Sequence, residues 1–158
     1  MFRIIKWLIA LPLGAFIFFN AYVYGNIITY RAVAPNKTAF MAMRMRQFQS
    51  EGKDVALDYR WVPYDRISVN LKKALIASED AKFAEHGGFD WGGIQYAIKR
   101  NKQSGEVKAG GSTISQQLAK NLFLNESRSY IRKGEEAAIT AMMEAVTDKD
   151  RIFELYLN

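Results

Sequence analysis

The sequence predicts a mainly α-helical chain with one membrane-spanning helix at its N-terminus. An uncharged apolar stretch lies near the N-terminus, and later segments repeat apolar residues at helical spacing behind capping residues. The 158 residues suffice for one domain. The absence of cysteine and the single histidine exclude disulfide scaffolds, thiolate metal sites and multi-histidine zinc sites. The net charge is +6, of which +3 lies outside residues 1–31; this surplus suits an anionic substrate or membrane surface but is too small and too dispersed to argue for a nucleic-acid partner.

The N-terminal stretch predicts a transmembrane signal anchor. Trp7 to Tyr24 contains 18 residues without a charge, and with the apolar residues that follow it can cross a hydrocarbon core of about 30 Å. Arg3 and Lys6 precede this stretch, so the positive-inside rule places the N-terminus in the cytoplasm. The alternative is a cleavable signal peptide. We therefore expect an anchor in residues 1–31 and a single-pass protein whose residues 32–158 form a domain on the outer side.

The remainder is predicted to consist of helices joined by polar loops. Thr38 can cap a first helix, whose Met-rich apolar face either rests on lipid headgroups or packs on its own core. The loose alternation of Leu57–Val62 predicts a short strand, and Asn101–Gly111 predicts a loop. Five further helices are expected. Their predicted starts are at or near Ser68, Asp90, Thr113, Ser129 and Thr147.

The first cluster of residues that can carry chemistry surrounds Glu79. Glu79 stands near the end of an apolar helix, where partial desolvation would make its carboxylate a better base. His86 and the two glycines after it follow in a turn that can bring the backbone close to a ligand. The alternative is an ordinary surface acid in contact with water.

The second cluster runs from Gly110 to Asn121. Two glycines and two hydroxyl residues precede a helix whose free N–H groups and positive dipole end would form an anion site. Thr113, Gln117 and Lys120 share one side of this helix. The alternative is an ordinary, well-capped helix. No Gly-Lys-Ser/Thr sequence occurs in this stretch, so a nucleotide site is not implied.

Arg132 and Glu136 belong to the third cluster. They stand one helical turn apart and can share a surface patch. Without further context, such a pair is most often a solvated ion pair on a helix surface.

These clusters, in this order behind a signal anchor, resemble the membrane-bound peptidoglycan glycosyltransferases. The first family motif, E-D-x-x-F-x-x-H-x-G, is matched from Glu79 to Gly88, and the second, G-G-S-T-I-[ST]-Q-Q-L-A-K-N, from Gly110 to Asn121. The third, R-K-x-x-E, is matched from Arg132 to Glu136. The fourth, K-x-x-I-L-E-x-Y-L-N, falls on Lys149–Asn158, with Phe153 in place of the usual leucine. The absence of a penicillin-binding domain makes the resemblance closest to the monofunctional type.

The resemblance implies a lysozyme-like glycosyltransferase domain on the periplasmic side of the inner membrane. Such an enzyme adds lipid II to a growing glycan chain, and divisome proteins or penicillin-binding proteins are its expected partners. Family chains continue past the Tyr-Leu-Asn at the end of this sequence, so we expect a truncated C-terminal lobe. Two alternatives stay open: a lysozyme-like lytic enzyme, and a non-catalytic anchored module that binds lipid II or a divisome partner.

The resemblance also implies roles for individual residues. Glu79 corresponds to the base that accepts the proton of the acceptor hydroxyl. Glu136 corresponds to a second essential carboxylate, which either orients Arg132 or holds a divalent cation, Mg²⁺ or Mn²⁺, beside the pyrophosphate. The implied substrate- and pyrophosphate-binding residues are His86, Ser112, Thr113, Gln117, Lys120 and Arg132.

Overall fold

The computed structural model describes residues 2–106 and 110–158, and its described part is mainly helical, as predicted. No β-strand occurs in these two ranges. Part of the predicted loop, residues 107–109, lies outside them. In chain order the elements are α1 (Phe2–Tyr30), α2 (Ala39–Ser50), a 3₁₀ helix (Tyr64–Arg66), α3 (Val69–Glu79), α4 (Trp91–Ser104), α5 (Ile114–Phe123), α6 (Tyr130–Val146) and α7 (Lys149–Leu157).

Helix α1 is exposed and apolar along much of its length and is packed against the domain near its C-terminal end. Its Lys6–Tyr30 segment is long and apolar enough to cross a membrane, and no other helix in the described residues passes that test. Asn20 and Asn26 are strongly polar side chains in this stretch; each donates at 2.8 Å to a carbonyl four residues earlier, so both amides are partly satisfied within the helix. Val23 and Ile27 are buried in the domain core, and α1 contacts α6.

Helix α5 lies at the centre of the domain and packs against α2, α6 and α7. Ile114, Leu118 and Leu122 point into the core, as the helical spacing predicts. Helix α2 rests on α5, but none of its residues is fully buried. The other large contributors to the core are Phe83, Ile139, Met143, Ile152, Phe153 and Leu155.

The helix starts follow the predicted capping residues closely. The side chains of four predicted caps each accept a hydrogen bond from the backbone N–H three residues later: Thr38, Asp90, Thr113 and Ser129. Ser68 occupies the predicted position, but its side chain makes no capping bond. The last helix begins at Lys149, close to the predicted start near Thr147, and Asp148 provides its cap.

Two predictions about non-helical segments are wrong. The Leu57–Val62 segment is not a strand; instead, the backbone N–H and carbonyl of Val62 bond to the side-chain amide of Asn158, at 2.7 and 3.1 Å. The predicted loop begins later than expected, because α4 continues through Ser104. The C-cap of helix α4 is Gly105, whose φ of 69° is a left-handed conformation that favours glycine.

The side chain of Arg151 joins α7 to the end of α1. Its Nε donates to the carbonyl of Tyr30 at 2.7 Å, and its Nη2 donates to the carbonyl of Val33 at 3.0 Å. Its Nη1 pairs with Glu154 at 2.6 Å. The guanidinium also lies 5.0 Å from the centre of the Trp61 ring. The apolar helix is therefore attached to the domain by polar bonds as well as by packing.

Candidate active site

Glu79 is the last residue of α3, and its side chain is in contact with water. We expected partial desolvation at this position, and that expectation is wrong: α3 has no buried residue and Glu79 is exposed. The carboxylate is nevertheless held by the second motif, because the Nε2 of Gln117 donates to its Oε2 at 3.0 Å. The first two motifs therefore meet at the carboxylate that the resemblance identifies as the base.

The next residue, Asp80, is buried and joins the Glu79–Gly88 turn to α5. Its Oδ2 accepts a 3.0 Å hydrogen bond from the backbone N–H of Ile114, and the Nε2 of His86 lies 2.9 Å from its Oδ1. The Nδ1 of His86 accepts from the N–H of Gly88 at 3.1 Å, which assigns the ring proton of a neutral imidazole to Nε2. Both nitrogens of His86 are thus engaged in holding the turn.

Gly88 is packed too closely for any side chain. Its φ is 91°, and a Cβ there would lie 2.7 Å from Cγ2 of Thr140 and 2.9 Å from Cγ of Glu144. Its carbonyl accepts a 2.7 Å hydrogen bond from the Thr113 hydroxyl. The glycine therefore lets the turn reach the start of α5.

The start of α5 is a buried, protein-capped helix end. Thr113 and Gln116 form a reciprocal capping box, and both are buried. The Ile114 N–H is taken by Asp80, so a carboxylate of the protein already stands at the positive end of this helix. The expectation of an anion site built from free N–H groups at this helix end is therefore wrong. The Thr113 hydroxyl is likewise occupied by Gly88 and Gln116.

The third motif is a buried carboxylate between two cations. Glu136 is 2% exposed; its Oε2 accepts from Nη1 of Arg132 at 2.7 Å, and its Oε1 pairs with Nζ of Lys133. Arg132 also donates from Nε to the carbonyl of Ser127 at 2.6 Å. Lys133 further donates to the hydroxyl of Ser112 at 3.0 Å, which connects the third motif to the second.

These contacts do not fit a divalent cation at Glu136. Mg²⁺ and Mn²⁺ need several oxygen ligands, and both oxygens of this carboxylate face positive charges. Across residues 2–106 and 110–158, no group of three acidic or histidine side chains could hold a metal ion. Orientation of Arg132 is the role that these contacts support.

An open cavity of about 380 Å³ lies beside the first two motifs. It is large enough to receive a sugar ring. Glu79, Ser112 and Thr113 are the predicted site residues that line it; Lys120, Arg132 and Glu136 are not part of its lining in the described residues. Lys120 is half-buried on α5, and no carboxylate in the described ranges pairs with its ammonium group.

Several supporting residues were not singled out from the sequence. Glu144 accepts from the buried Ser115 hydroxyl and pairs with Lys149 at 2.7 Å, which links α5, α6 and α7. The Lys149 ammonium lies 4.5 Å from the centre of the Phe83 ring. The Tyr156 hydroxyl donates to Oε1 of Gln117 at 3.2 Å. Burial, and secondly the negative charge of Glu79, raise the pKa of this hydroxyl. For Lys149 and Tyr156, the only signal in the sequence was the match to the fourth motif.

Comparison with known proteins agrees with the motif assignment. A family model described as Transglycosylase matches residues 44–158. A biosynthetic peptidoglycan transglycosylase of Neisseria meningitidis serogroup C (strain 053442) is 89% identical over 158 residues, which are 100% of this chain and 68% of the relative. One of Neisseria gonorrhoeae (strain NCCP11945) is 86% identical over the same shares of the two chains. The chain therefore belongs to the transglycosylase family, and the prediction of a glycosyltransferase is confirmed.

Proposed function

We propose that the protein polymerises lipid II into the β-1,4 glycan strands of peptidoglycan, with inversion and release of undecaprenyl pyrophosphate. The observation that carries this proposal is the exposed carboxylate of Glu79, which lines the cavity and accepts a hydrogen bond from Gln117. Membership of the transglycosylase family supports the reaction type. The relatives are biosynthetic peptidoglycan transglycosylases, which supports peptidoglycan as the product.

The reaction is a single displacement at the donor sugar. The donor is the growing chain, α-linked to undecaprenyl pyrophosphate, and the acceptor is the 4-hydroxyl of the N-acetylglucosamine in lipid II. Glu79 accepts the proton of this hydroxyl, whose oxygen forms the new bond to the donor anomeric carbon. The bond between that carbon and the pyrophosphate oxygen breaks, and its electron pair leaves with the pyrophosphate. One displacement converts the α linkage into a β linkage.

The leaving pyrophosphate is a weak base and needs charge stabilisation rather than a strong acid. Lys120 offers an ammonium group that forms no ion pair with a carboxylate in residues 2–106 and 110–158. Arg132 offers a guanidinium that Glu136 holds in one orientation at 2.7 Å. Lys133, bonded to Ser112 and Glu136, supports the same arrangement.

Membrane attachment by α1 suits this reaction, because both substrates carry lipid tails. The proposed location is the inner membrane, with residues 32–158 on the periplasmic side. If α1 is an uncleaved anchor, the mature protein should begin at Met1 or Phe2 and resist carbonate extraction. Mass-spectrometric detection of a new N-terminus near Tyr24 to Ala32, with release into the soluble fraction, would indicate a signal peptide instead.

The base assignment is tested with Glu79→Gln. Polymerisation of lipid II should fall by about 10²–10⁴-fold with the fold intact, because an amide cannot accept the hydroxyl proton. Glu85→Gln is the matched control, since Glu85 is an exposed acid in the same turn. Near-normal polymerisation by Glu79→Gln would contradict the assignment. An assay on finished glycan, run in parallel, separates this reaction from a lytic one.

The phosphate assignment is tested with Lys120→Ala and with Lys102→Ala, an exposed lysine on α4, as its control. Loss of Lys120 should raise the apparent KM and also lower kcat, because pyrophosphate is present in both substrates and in the leaving group. It should also weaken binding of the family's phosphoglycolipid inhibitor moenomycin, measured by fluorescence polarisation. Unchanged inhibitor affinity would remove Lys120 from the phosphate site.

A further inference from the structure

Three side chains from three helices form a continuous line of hydrogen bonds that ends at Glu79. The Tyr156 hydroxyl on α7 donates to Oε1 of Gln117 on α5 at 3.2 Å. The Nε2 of the same amide donates to Oε2 of Glu79, at the end of α3, at 3.0 Å. The motif resemblance gives Tyr156 no role, and the mechanism above does not use it.

Each group in this line has the donor or acceptor character that its neighbour needs. A carboxylate only accepts hydrogen bonds, so Gln117 must present its N–H₂ to Glu79 and its carbonyl oxygen to the opposite side. A neutral tyrosine hydroxyl can donate to that oxygen. Burial and the charge of Glu79 raise the pKa of Tyr156, which keeps its proton on the oxygen. Donation into the amide oxygen also strengthens the bond that the amide makes to the carboxylate.

Tyr156 is held firmly enough to act as a support. Its ring stacks on Phe153, with centres 6.3 Å apart and planes 19° apart, and Phe153 is 1% exposed. Helix α7 packs against α5, which carries Gln117. Glu79, in contrast, is exposed at the end of a helix that has no buried residue. The rigid member of the line is therefore Tyr156, and the member that needs support is Glu79.

We propose that Tyr156 is a positioning residue that acts on Glu79 through Gln117, holding the amide so that the carboxylate keeps one orientation toward the cavity. This inference rests on the proposed function, in which Glu79 is the base. Without the hydroxyl, the Gln117 amide is free to rotate, and the exposed carboxylate samples orientations that do not face the acceptor. Tyr156 contributes to the rate without touching the reacting atoms.

The test is a double-mutant cycle on lipid II polymerisation. Tyr156→Phe removes only the hydroxyl and should lower kcat by about five- to tenfold, with a small change in KM, as expected for loss of one hydrogen bond. In a Gln117→Ala background the same substitution should change kcat by less than about twofold, because the intermediary is gone. A residue that merely stabilises the fold would give the same factor in both backgrounds. Tyr130→Phe, at a residue that is 98% exposed, is the control and should keep full activity.

A second measurement does not depend on activity. The side-chain amide proton of Gln117, assigned in a ¹H–¹⁵N spectrum by its loss in Gln117→Ala, should move upfield both in Tyr156→Phe and in Glu79→Gln. An unchanged amide signal in Tyr156→Phe, or additive losses of kcat in the cycle, would overturn the proposal. If Glu79→Gln stays active while the amide signal responds to Tyr156→Phe, the line of hydrogen bonds exists and the base assignment is the part that fails.

Discussion

The Oδ2 atom of Asp80 lies 3.0 Å from the backbone nitrogen of Ile114, the first residue of α5. The same carboxylate contacts His86, and the Asp80 side chain is 3% exposed. One buried anion thus joins the turn after Glu79 to the positive end of the central helix. This contact fixes the relative position of the first two motifs.

Asp80→Asn should therefore destabilise the protein. The asparagine side chain carries no negative charge to place at the helix end, and only its oxygen can accept a hydrogen bond, so it cannot accept from both the Ile114 N–H and His86 through separate oxygens. The free energy of unfolding should therefore fall by about 1–3 kcal/mol. Thermal unfolding followed by circular dichroism in detergent micelles measures the change. Asp58→Asn is the control, because the Asp58 side chain is 77% exposed. Equal unfolding temperatures for the two variants would contradict a capping role for Asp80.

Replacement of Gly88 by alanine should be costly, whereas the same change at Gly87 should not. At Gly88 a Cβ meets Thr140 at 2.7 Å with φ at 91°, and at Gly87 nothing lies within 4 Å. We expect Gly88→Ala to lose about 1–3 kcal/mol of unfolding free energy and Gly87→Ala to lose less than about 0.5 kcal/mol. The unfolding temperatures of Gly88→Ala and Gly87→Ala test this expectation. Similar temperatures would contradict it and would mean that the turn relaxes around the new methyl group.

Glu136→Gln should lower stability and activity together. The substitution leaves Arg132, whose side chain is 15% exposed, without its anion, and it also removes the partner of Lys133. The loss should be about 2–4 kcal/mol, reduced by the solvent exposure of Lys133. Denaturant unfolding measures it, with the neighbouring Glu135→Gln as control. Wild-type stability for Glu136→Gln would show that the two cations find other partners.

Divalent cations should not bind at Glu136. Both carboxylate oxygens are paired with Arg132 and Lys133, so an arriving Mg²⁺ would have to displace a positive side chain. Addition of about 10 mM Mg²⁺, roughly tenfold above the dissociation constants of the weakest calcium sites, should leave the unfolding temperature unchanged in wild type and in Glu136→Gln alike. A rise seen in wild type and absent from Glu136→Gln would reveal a metal site there.

Stability at high pH should depend on Tyr156. The pKa of its hydroxyl is raised from the ordinary value of 10.0, first by burial and then by Glu79. The folded state holds the proton more tightly, so the resulting stability is complete below the unfolded value and is lost as pH rises through the folded one. Tyr156→Phe should therefore lose less stability than wild type above about pH 10. Unfolding temperatures across this range test it; parallel curves would contradict the expectation.

Much of the local structure could be predicted because its signals lie within a few residues of each other. The caps at Thr38, Asp90, Thr113 and Ser129 each bond to an N–H three residues away, so the local sequence is enough to predict them, although Ser68 makes no such bond. The prediction of a strand at Leu57–Val62 was wrong, because alternating apolar and polar residues do not show whether a neighbouring strand is available for pairing. Val62 found its partner in the side chain of Asn158, a residue 96 positions away.

The motifs identified the family and supplied the residues proposed for the site, but they did not predict the contacts between these residues. The capping of α5 by Asp80 spans 34 positions, and the bond between Tyr156 and Gln117 spans 39. Contacts over such distances along the chain leave no periodic pattern in the sequence. The exposure of Glu79 was missed for a similar reason, since an apolar helix predicts a buried face without showing which neighbour will cover it.

The bonds from Arg151 to the carbonyls of Tyr30 and Val33 attach the C-terminal end of α1 to the domain. Val23 and Ile27, buried against the same body, hold the helix along its last turns. A membrane helix of fixed length tilts when the bilayer around it thins. If α1 spans a bilayer, the cavity beside Glu79 rotates through the same angle, which alters the height at which a lipid-linked sugar must enter. The thickness of the bilayer would then set the angle at which a lipid-linked sugar reaches the cavity.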